Sequence, residues 1–339
     1  MAQGGLTQRG HVLVTGGAGY IGAHTVLALL DSGYHVTVLD DLSTGIRAAV
    51  PSSARFHQGD VGDAALLGAL FGGERFDAIV HFAGSLIVSE SVRDPLAYYG
   101  NNSCKTRILL AEALKAGIDK LVFSSSAAVY GTPESVPIPE TAPTVPINPY
   151  GASKLMIEWM LRDAGTAHGL RYAALRYFNV AGADPQMRAG QSNDYGTHLV
   201  KVTAEHLAGT RPMLEIFGTD YDTPDGTCVR DYIHVSDLAD LHVVALHRLM
   251  DGGESLAINC GYGHGFSVRE VLDVAARVGK RPLDVREAPR RPGDPAELVA
   301  DTRRLHDSFD WTPRFDDLET IVRHALEWEW KLAELRKSG

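Results

Sequence analysis

The stretch TGGAGYIG, residues Thr15–Gly22, decides the fold that this sequence predicts. It lies between an apolar run, HVLV at residues 11–14, and a helix-like stretch, Thr25–Leu30. Its three glycines recur at every third position, at Gly16, Gly19 and Gly22. A strand, a glycine-rich turn and a helix let the backbone approach a pyrophosphate and place helix N–H groups next to its charge. The stretch therefore predicts a dinucleotide-binding turn, with a purely structural turn as the alternative.

Short apolar runs alternate with helix-like stretches from residue 11 to about residue 178. In chain order these runs read HVLVT, HVTVLD, ARFHQGD, AIVHFAG, KLVFSSS and YAALRYF. Six strands with intervening helices predict an α/β fold with a doubly wound parallel sheet of the Rossmann type. Helical patterns over Asp94–Gly117 and Ser153–Ala164 predict helices that cover this sheet.

The character of the chain changes after Asn179, where a polar, glycine-containing stretch occupies residues 184–196. Residues 236–250 and 255–260 again read as a helix and a strand, so the chain is predicted to return to the first domain. A length of 339 residues fits roughly two domains. We expect a Rossmann domain formed by residues 11–180 with 231–260, and a smaller α/β substrate domain formed by residues 181–230 with 261–335.

Composition argues against several classes of protein. A net charge of -10 without a basic block opposes binding to nucleic acid. No apolar run reaches about 18 residues, and residues 1–10 contain no apolar signal core, so we expect a cytoplasmic protein without a membrane partner. The three cysteines are widely spaced and odd in number, and no HExxH motif occurs among the 14 histidines. These features predict buried cysteines, no disulfide framework and no metal site.

A carboxylate follows the glycine turn at the spacing that dinucleotide sites use. The run HVTVLD ends at Asp40, about 20 residues past the glycines. There it can accept hydrogen bonds from an adenosine ribose and would repel a 2′-phosphate. Asp40 therefore predicts NAD rather than NADP, with a solvated loop residue beside Asp41 as the alternative.

A serine, a tyrosine and a lysine form the candidate chemical centre. The strand within KLVFSSSAAVYG places Ser126 near its carboxyl end, the edge at which doubly wound sheets bind ligands. In PYGASK, Tyr150 and Lys154 are four residues apart and so lie on one face of a helix. The ammonium of Lys154 is expected to lower the pKa of Tyr150 and make it a base near neutral pH. Ser126 is expected to hydrogen-bond the same substrate hydroxyl.

Seven stretches together carry a family resemblance: TGGAGYIG, FAGSLIVSESV, NNS, FSSSAAVYG, NPYGASK, LRYFNVAGA and GTCVRDYIHVSDLA. With them the chain resembles the extended short-chain dehydrogenase/reductases, and within these the UDP-hexose 4-epimerase branch, from residue 11 to about residue 330. The resemblance implies reversible epimerisation at carbon 4 of a UDP-hexose through a 4-keto sugar, with bound NAD and Tyr150 as the base. It also implies a homodimer joined by helices around residues 94–117 and 150–165.

The resemblance implies site residues position by position. For NAD it implies Gly16, Gly19, Tyr20, Ile21, Gly22, Asp40, Asp60, Val61, Phe82, Ala83, Gly84, Asn101, Ser124, Tyr150, Lys154 and Tyr177. For the UDP-sugar it implies Ser126, Tyr150, Asn179, His198, Leu199, Phe217, Arg230, Tyr232, Arg291, Asp294 and Leu298. Arginines suit this role because a guanidinium can contact a phosphate through two donors. An ion pair between Arg230 and Asp231 or another carboxylate is the structural alternative.

Three positions depart from the family pattern. Leu86 stands where many members have Lys, and His198 replaces an Asn of the nucleotide-sugar site. Leu298 stands where several bacterial members have a Tyr that bounds the pocket near carbon 2 of the sugar. A more open pocket is therefore expected, with ordinary packing of Leu298 as the alternative.

Other functions stay open at this point. A UDP-pentose or UDP-N-acetylhexosamine 4-epimerase would use the same residues. A nucleotide-sugar dehydratase or decarboxylase is disfavoured because Ala127 and Ala128 stand where such relatives place acidic groups. A non-enzymatic NAD sensor is disfavoured because both Tyr150 and Lys154 are present.

Overall fold

The computed structural model describes residues 9–193, 196–291 and 293–338. Residues 1–8, in which no apolar signal core is predicted, lie outside the described residues, as do Asp194 and Tyr195 of the polar stretch, Pro292 and Gly339. The described chain forms two compact units. The first comprises the described residues up to 129 with 148–175 and 239–257, and the second comprises 130–147, 176–238 and the described residues from 258 onward. The domain bounds expected from the sequence differ from the bounds of these compact units, and they stay a prediction.

Fourteen strands are present in the described chain. They are β1 His11–Thr15, β2 His35–Asp40, β3 Arg55–Gln58, β4 Ala78–His81, β5 Lys120–Ser124, β6 Arg171–Tyr177, β7 Asn179–Ala181, β8 Leu214–Phe217, β9 Val229–Arg230, β10 Tyr232–His234, β11 Leu256–Cys260, β12 Phe266–Ser267, β13 Val285–Ala288 and β14 Glu297–Leu298. The helices are α1 Tyr20–Asp31, α2 Ala64–Gly73, α3 Val88–Arg93, α4 Pro95–Tyr98, α5 Lys105–Lys115, α6 Pro149–His168, α7 Leu199–Leu207, α8 Val235–Met250, α9 Val268–Gly279, α10 Arg303–Ser308 and α11 Leu318–Ser338. Short 3₁₀ helices cover Arg47–Ala49 and Ala127–Tyr130.

Seven strands form one sheet in the order β11-β6-β5-β4-β1-β2-β3. The six strands from β6 across to β3 run parallel to one another. The predicted doubly wound parallel sheet is confirmed, as are all six predicted strands and the later strand that joins them as β11. The strand order reverses between β1 and β4, and ligands of such sheets bind beside the carboxyl ends of the strands at this point.

The apolar residues of β1 are buried on both faces of the sheet, as expected for a sheet that helices cover. Val12, Leu13 and Val14 of β1 have no exposed surface, which is typical of a parallel strand packed on both faces. Leu13 belongs to a core cluster shared with Ile79, Leu109, Leu121, Phe123 and Leu161. The carboxyl ends of β1, β4 and β5 therefore lie at the edge of a buried apolar core.

The helix predicted over Asp94–Gly117 is interrupted. Between α4 and α5 the backbone forms a π-helical segment, Tyr99–Cys104. The hydroxyl of Thr106 donates to the carbonyl of Asn102 at 2.6 Å, at the point where the backbone widens. The prediction that all three cysteines are buried is wrong for Cys104, because this segment turns its side chain outward.

The second unit contains three small sheets and a helical core. β7 pairs with β10, β8 with β13, and β9 with both β12 and β14. Apolar residues of α7, α9 and α11 form one core cluster. Within the described residues, every helix is too short or too polar to cross a membrane.

Candidate active site

The glycine turn after β1 is packed against backbone on two sides. Gly16 has a φ of 70°, and a Cβ there would lie 2.6 Å from the amide nitrogen of Ala83. A Cβ on Gly22 would lie 2.2 Å from the carbonyl oxygen of Gly16. Gly19 precedes Tyr20 and Ile21 at the N-cap of α1, and a Cβ there would meet only the Gly16 oxygen at 3.3 Å among the described atoms. Backbone atoms therefore fill the space beside Gly16 and Gly22, while the space beside Gly19 at the N-terminus of α1 is nearly free. A pyrophosphate fits this free space next to the helix N–H groups.

Asp40 at the end of β2 is buried and holds this turn. One carboxylate oxygen accepts from the Ala18 amide and the other from the Leu42 amide, both at 2.9 Å. Burial raises the pKa of Asp40 from its ordinary value, and the two amides oppose that rise. The alternative of a solvated loop residue does not fit a side chain that is 7% exposed. Each oxygen retains a second lone pair with which to accept from a ribose hydroxyl.

Asp60 and Val61, expected beside the adenine, are fixed in different ways. The Asp60 carboxylate pairs with Lys105 Nζ at 2.6 Å and accepts from the Gly62 amide at 2.7 Å. Burial alone would raise the pKa of Asp60, but Lys105 and this amide hold it below its ordinary value. Val61 packs into the core cluster. A cofactor would therefore meet this loop chiefly through its backbone.

The residues after β4 lie beside the glycine turn. The Phe82 amide donates to the Thr15 carbonyl at 2.9 Å, and the backbone of Phe82 and Ala83 lies against Gly16. Gly84 has a φ of 157°, and a Cβ there would lie 3.0 Å from the side-chain oxygen of Asn102. Asn101 donates to the Ser85 hydroxyl at 2.9 Å. The predicted cofactor residues of this loop are therefore brought to the β1–β4 edge.

The three predicted catalytic residues meet beside the end of β5. Tyr150 lies in the first turn of α6, and the Ser126 side chain is close enough to its hydroxyl to lower the pKa of the phenol. The Ser126 oxygen also accepts from the Ala128 amide at 3.1 Å. Lys154 donates to the Ser124 carbonyl at 2.8 Å, and its Nζ lies 5.9 Å from the centre of the Tyr150 ring. Serine, tyrosine and lysine thus form one cluster.

The expected lowering of the tyrosine pKa is not found. Burial raises the pKa of Tyr150, and only the hydrogen bond from Ser126 opposes this rise. Burial lowers the pKa of Lys154 to about 8, so the lysine is charged below that pH. The physical reason is that Lys154 points to the Ser124 carbonyl rather than to the phenol oxygen, while desolvation disfavours phenolate.

Arg230 of the second unit is already paired with a carboxylate. Its Nη2 donates to Asp294 at 2.5 Å and to the Pro295 carbonyl at 2.8 Å. Its Nη1 donates to the carbonyls of Val229 and Ala296 at 2.8 and 3.2 Å. The partner of Arg230 is thus Asp294 and not Asp231. A diphosphate that contacts Arg230 has to share it with Asp294.

Other predicted substrate residues form pairs within the same unit. The guanidinium carbon of Arg291 lies 3.8 Å from the centre of the Phe217 ring. Asn179 and Tyr232 face each other in the β7–β10 pair, and Tyr232 is buried in the core cluster. Stacking on Phe217 orients the guanidinium plane of Arg291, which suits two-point contact with a phosphate.

The remaining predicted site residues lie at the ends of helices and strands. His198 is the N-cap of α7 and Leu199 is its first residue. The buried Nδ1 of His198 has no hydrogen-bond partner in the described part of the chain, and burial lowers the pKa of the ring. Leu298 lies opposite Arg230 in the β9–β14 pair. Tyr177, the last of the predicted cofactor residues, ends β6.

Comparison with known proteins decides the family. The model of the NAD dependent epimerase/dehydratase family matches residues 12–261. The chain belongs to this family. Membership confirms the expectation of an NAD-dependent enzyme and agrees with the glycine turn and Asp40.

Individual relatives cover almost the whole chain. A protein of Azospirillum brasilense named UDP-glucose 4-epimerase is 59% identical over 323 residues, which are 95% of this chain and 93% of that protein. The crystal structure of UDP-glucose 4-epimerase from Brucella ovis in complex with NAD matches with a TM-score of 0.92 at 44% identity, over 95% of this chain and 98% of that one. The UDP-Glc/GlcNAc 4-epimerase of Campylobacter jejuni matches with a TM-score of 0.83 at 46% identity, over 95% and 99% of the two chains.

Sequence reasoning missed a buried polar network behind the family site. His81 contacts Thr15 Oγ1 at 2.6 Å through Nδ1 and Thr106 Oγ1 at 2.8 Å through Nε2. Burial, with a contribution from the charge of Lys154, lowers the pKa of His81 to about 3, so the ring is neutral. The Thr106 hydroxyl donates its proton to the Asn102 carbonyl, so toward His81 it can only accept. Nε2 of His81 therefore carries the ring proton, and Nδ1 accepts from Thr15. The position of His81 at the end of β4 was the available signal.

We predict that Asp40→Asn weakens the preference for NAD over NADP by on the order of 10- to 100-fold. The amide keeps an oxygen for the turn but removes the charge that repels a 2′-phosphate. Dissociation constants for both dinucleotides check this. Asp41→Asn, at the exposed neighbouring position, is the matched control. An unchanged ratio in Asp40→Asn would remove Asp40 from cofactor selection.

Proposed function

We propose that the protein interconverts UDP-glucose and UDP-galactose by reversible epimerisation at carbon 4. The observation that carries this proposal is the Ser126–Tyr150–Lys154 cluster beside the end of β5, in the same unit as the glycine turn. The named activity of the relatives supports the same reaction. NAD, when bound, supplies a reversible hydride acceptor for carbon 4 of the sugar.

The residues of the cluster manage the proton of the 4-hydroxyl. Tyr150 takes this proton as the hydroxyl becomes the carbonyl of a 4-keto sugar and returns it when the carbonyl is reduced on the other face. Ser126 donates to the tyrosine oxygen and so favours the phenolate that the first step needs. Lys154, charged below about pH 8, is held by the Ser124 carbonyl beside the tyrosine and is proposed to bind the cofactor. The proton and the hydride are both returned, so the reaction consumes no cofactor.

The nucleotide is proposed to anchor the substrate through the second unit. Arg230, Arg291 and Asn179 would hold the UDP part, with the stacked Phe217–Arg291 pair as one side of the site. Binding energy from the nucleotide would position carbon 4 without fixing the sugar ring, which has to present both faces.

A panel of UDP-sugars incubated with the purified protein tests the proposed function. Nuclear magnetic resonance of the products should show UDP-galactose formed from UDP-glucose and the reverse reaction. Release of carbon dioxide would contradict this proposal and indicate a decarboxylase. Accumulation of a 4-keto-6-deoxy sugar would contradict it and indicate a dehydratase.

Leu298 is proposed to leave room for a substituent on carbon 2. We predict turnover of UDP-N-acetylglucosamine that is about 10- to 200-fold slower than that of the hexoses, because a few atoms in an apolar pocket discriminate only partially. Leu298→Tyr should lower this activity selectively. Tyr150→Phe provides the background rate. If Leu298→Tyr slows both substrate classes equally, Leu298 does not select between them and has only a packing role.

We also propose that the protein is a homodimer and that it is located in the cytoplasm. Val92, Leu96 and Trp159 are exposed on helices α3, α4 and α6, and α3 and α4 both pack against α6. The proposed cytoplasmic location is supported by the three cysteines, which are all free thiols, as is usual in a reducing compartment. We predict that light scattering gives the mass of a dimer and that Trp159→Asp gives a monomer. Trp330→Asp, at a similarly exposed tryptophan of α11, should stay dimeric. A monomeric wild-type protein would contradict this.

A further inference from the structure

Three consecutive serines at the end of β5 each contact a different residue of α6. The Ser124 carbonyl accepts from Lys154, the Ser125 hydroxyl donates to Glu158, and the Ser126 side chain is close enough to Tyr150 to lower the pKa of its phenol. The three α6 residues are spaced four apart and so lie along one face of the helix. Ser125 and Glu158 have no role in the proposed chemistry, yet they lie in the same row of contacts.

The contact between Ser125 and Glu158 is buried. Ser125 Oγ donates to Glu158 Oε1 at 2.5 Å, and the two residues are 0% and 7% exposed. A hydroxyl that donates to a carboxylate in a dry environment forms a strong, directional hydrogen bond. It therefore fixes the backbone at Ser125 to the second turn of α6 beyond Tyr150.

Ser126 follows this attachment directly in the chain. β5 ends at Ser124, and the chain turns there, because the Ser125 amide donates to the Phe123 carbonyl at 3.0 Å. Ser126 is thus beyond the sheet. Its oxygen accepts from the Ala128 amide, so its proton stays available to Tyr150, whose pKa the Ser126 side chain lowers.

We propose that Ser125 and Glu158 are positioning residues, whose buried hydrogen bond holds Ser126 against the hydroxyl of Tyr150. This inference rests on the proposed function for the role of Tyr150. Both residues are buried, so neither is proposed to contact the substrate. Together they set the distance between the end of β5 and the first turn of α6.

Ser125→Ala tests the proposal through the rate. We expect kcat to fall by about 100-fold, as for a misplacement of about 1 Å, with KM for the UDP-sugar unchanged. Ser126 lowers the pKa of Tyr150, so its displacement raises that pKa, and the acid limb of the pH–rate profile should move to higher pH. Glu158→Leu should have the same effect from the other side. Glu158→Gln, which keeps an acceptor oxygen, should restore much of the rate that Glu158→Leu loses.

Thr37 offers a matched control in the same unit. Its buried hydroxyl donates to Glu74 at 3.1 Å, and it lies in β2 three residues before the strand ends at Asp40. Thr37→Val removes a hydroxyl-to-carboxylate bond as Ser125→Ala does, but should leave kcat and the pH profile unchanged. If Ser125→Ala behaves like Thr37→Val, or if Glu158→Gln is as slow as Glu158→Leu, the proposal is overturned.

Titration of the tyrosine decides the question without turnover. Carbon-13 resonance of labelled tyrosine, with Tyr150 assigned by its loss in Tyr150→Phe, should show a higher Tyr150 pKa in Ser125→Ala than in the wild type. An unchanged value would overturn the positioning role. A wild-type protein that epimerises no UDP-sugar would instead refute the proposed function, and the titration would still decide the positioning role. If Ser125→Ala does not fold, Glu158→Leu carries the same comparison.

Discussion

Tyr150→Phe is expected to lower the rate of epimerisation by on the order of 10³- to 10⁴-fold. The substitution removes only the oxygen that exchanges a proton with the 4-hydroxyl. Ser126 and Lys154 stay in place, because Lys154 is held by the Ser124 carbonyl and Ser126 by the Ala128 amide. The content of NAD and the midpoint of thermal unfolding should therefore stay close to those of the wild type.

Tyr34→Phe is the matched control for this prediction. Tyr34 is a buried tyrosine of the same unit, and its ring stacks on His247 outside the candidate site. Initial rates with UDP-galactose for the three proteins make the comparison. Equal rates for Tyr150→Phe and the wild type would show that Tyr150 is not the base.

Gly22→Ala is expected to destabilise the protein by about 1–3 kcal/mol and to reduce its affinity for NAD. The added Cβ would lie 2.2 Å from the Gly16 oxygen and 2.9 Å from the Gly17 Cα. Both are backbone atoms, so no side-chain rotation relieves the overlap. Relief requires α1 to move from the turn that is proposed to hold the pyrophosphate.

Gly68→Ala is the control for Gly22→Ala. Gly68 lies in α2, and a Cβ there meets no described atom within 4 Å. This variant should gain up to about 1 kcal/mol, because alanine favours helix. Chemical denaturation and titration with NAD measure both effects. A Gly22→Ala protein as stable as the wild type, with the same NAD affinity, would contradict the packing described for the turn.

The fold could be predicted because its signals are local. Five of the six predicted strands are short apolar runs, and each was recognisable from its own residues, whereas β3 contains only one apolar residue, Phe56. The helix Ser236–Met250 was likewise predicted and is present as α8. The π-helical segment at Tyr99–Cys104 was not predictable, because helical periodicity does not reveal a widened turn.

Contacts between distant residues were less accessible from the sequence. Arg230 and Asp294 are 64 positions apart, and nothing local indicates that they pair. The direction of the Tyr150 pKa depends on burial and on where Lys154 points, and neither follows from the four-residue spacing. The row of contacts from the three serines to α6 required the position of β5 against that helix.

The fate of hydrogen at carbon 4 tests the central claim most directly. UDP-glucose carrying deuterium at carbon 4 is incubated with the protein in ordinary water, and the products are analysed by nuclear magnetic resonance. The proposed reaction predicts UDP-galactose that retains the deuterium at carbon 4. Loss of the label to water, or a product unchanged at carbon 4, would contradict the account.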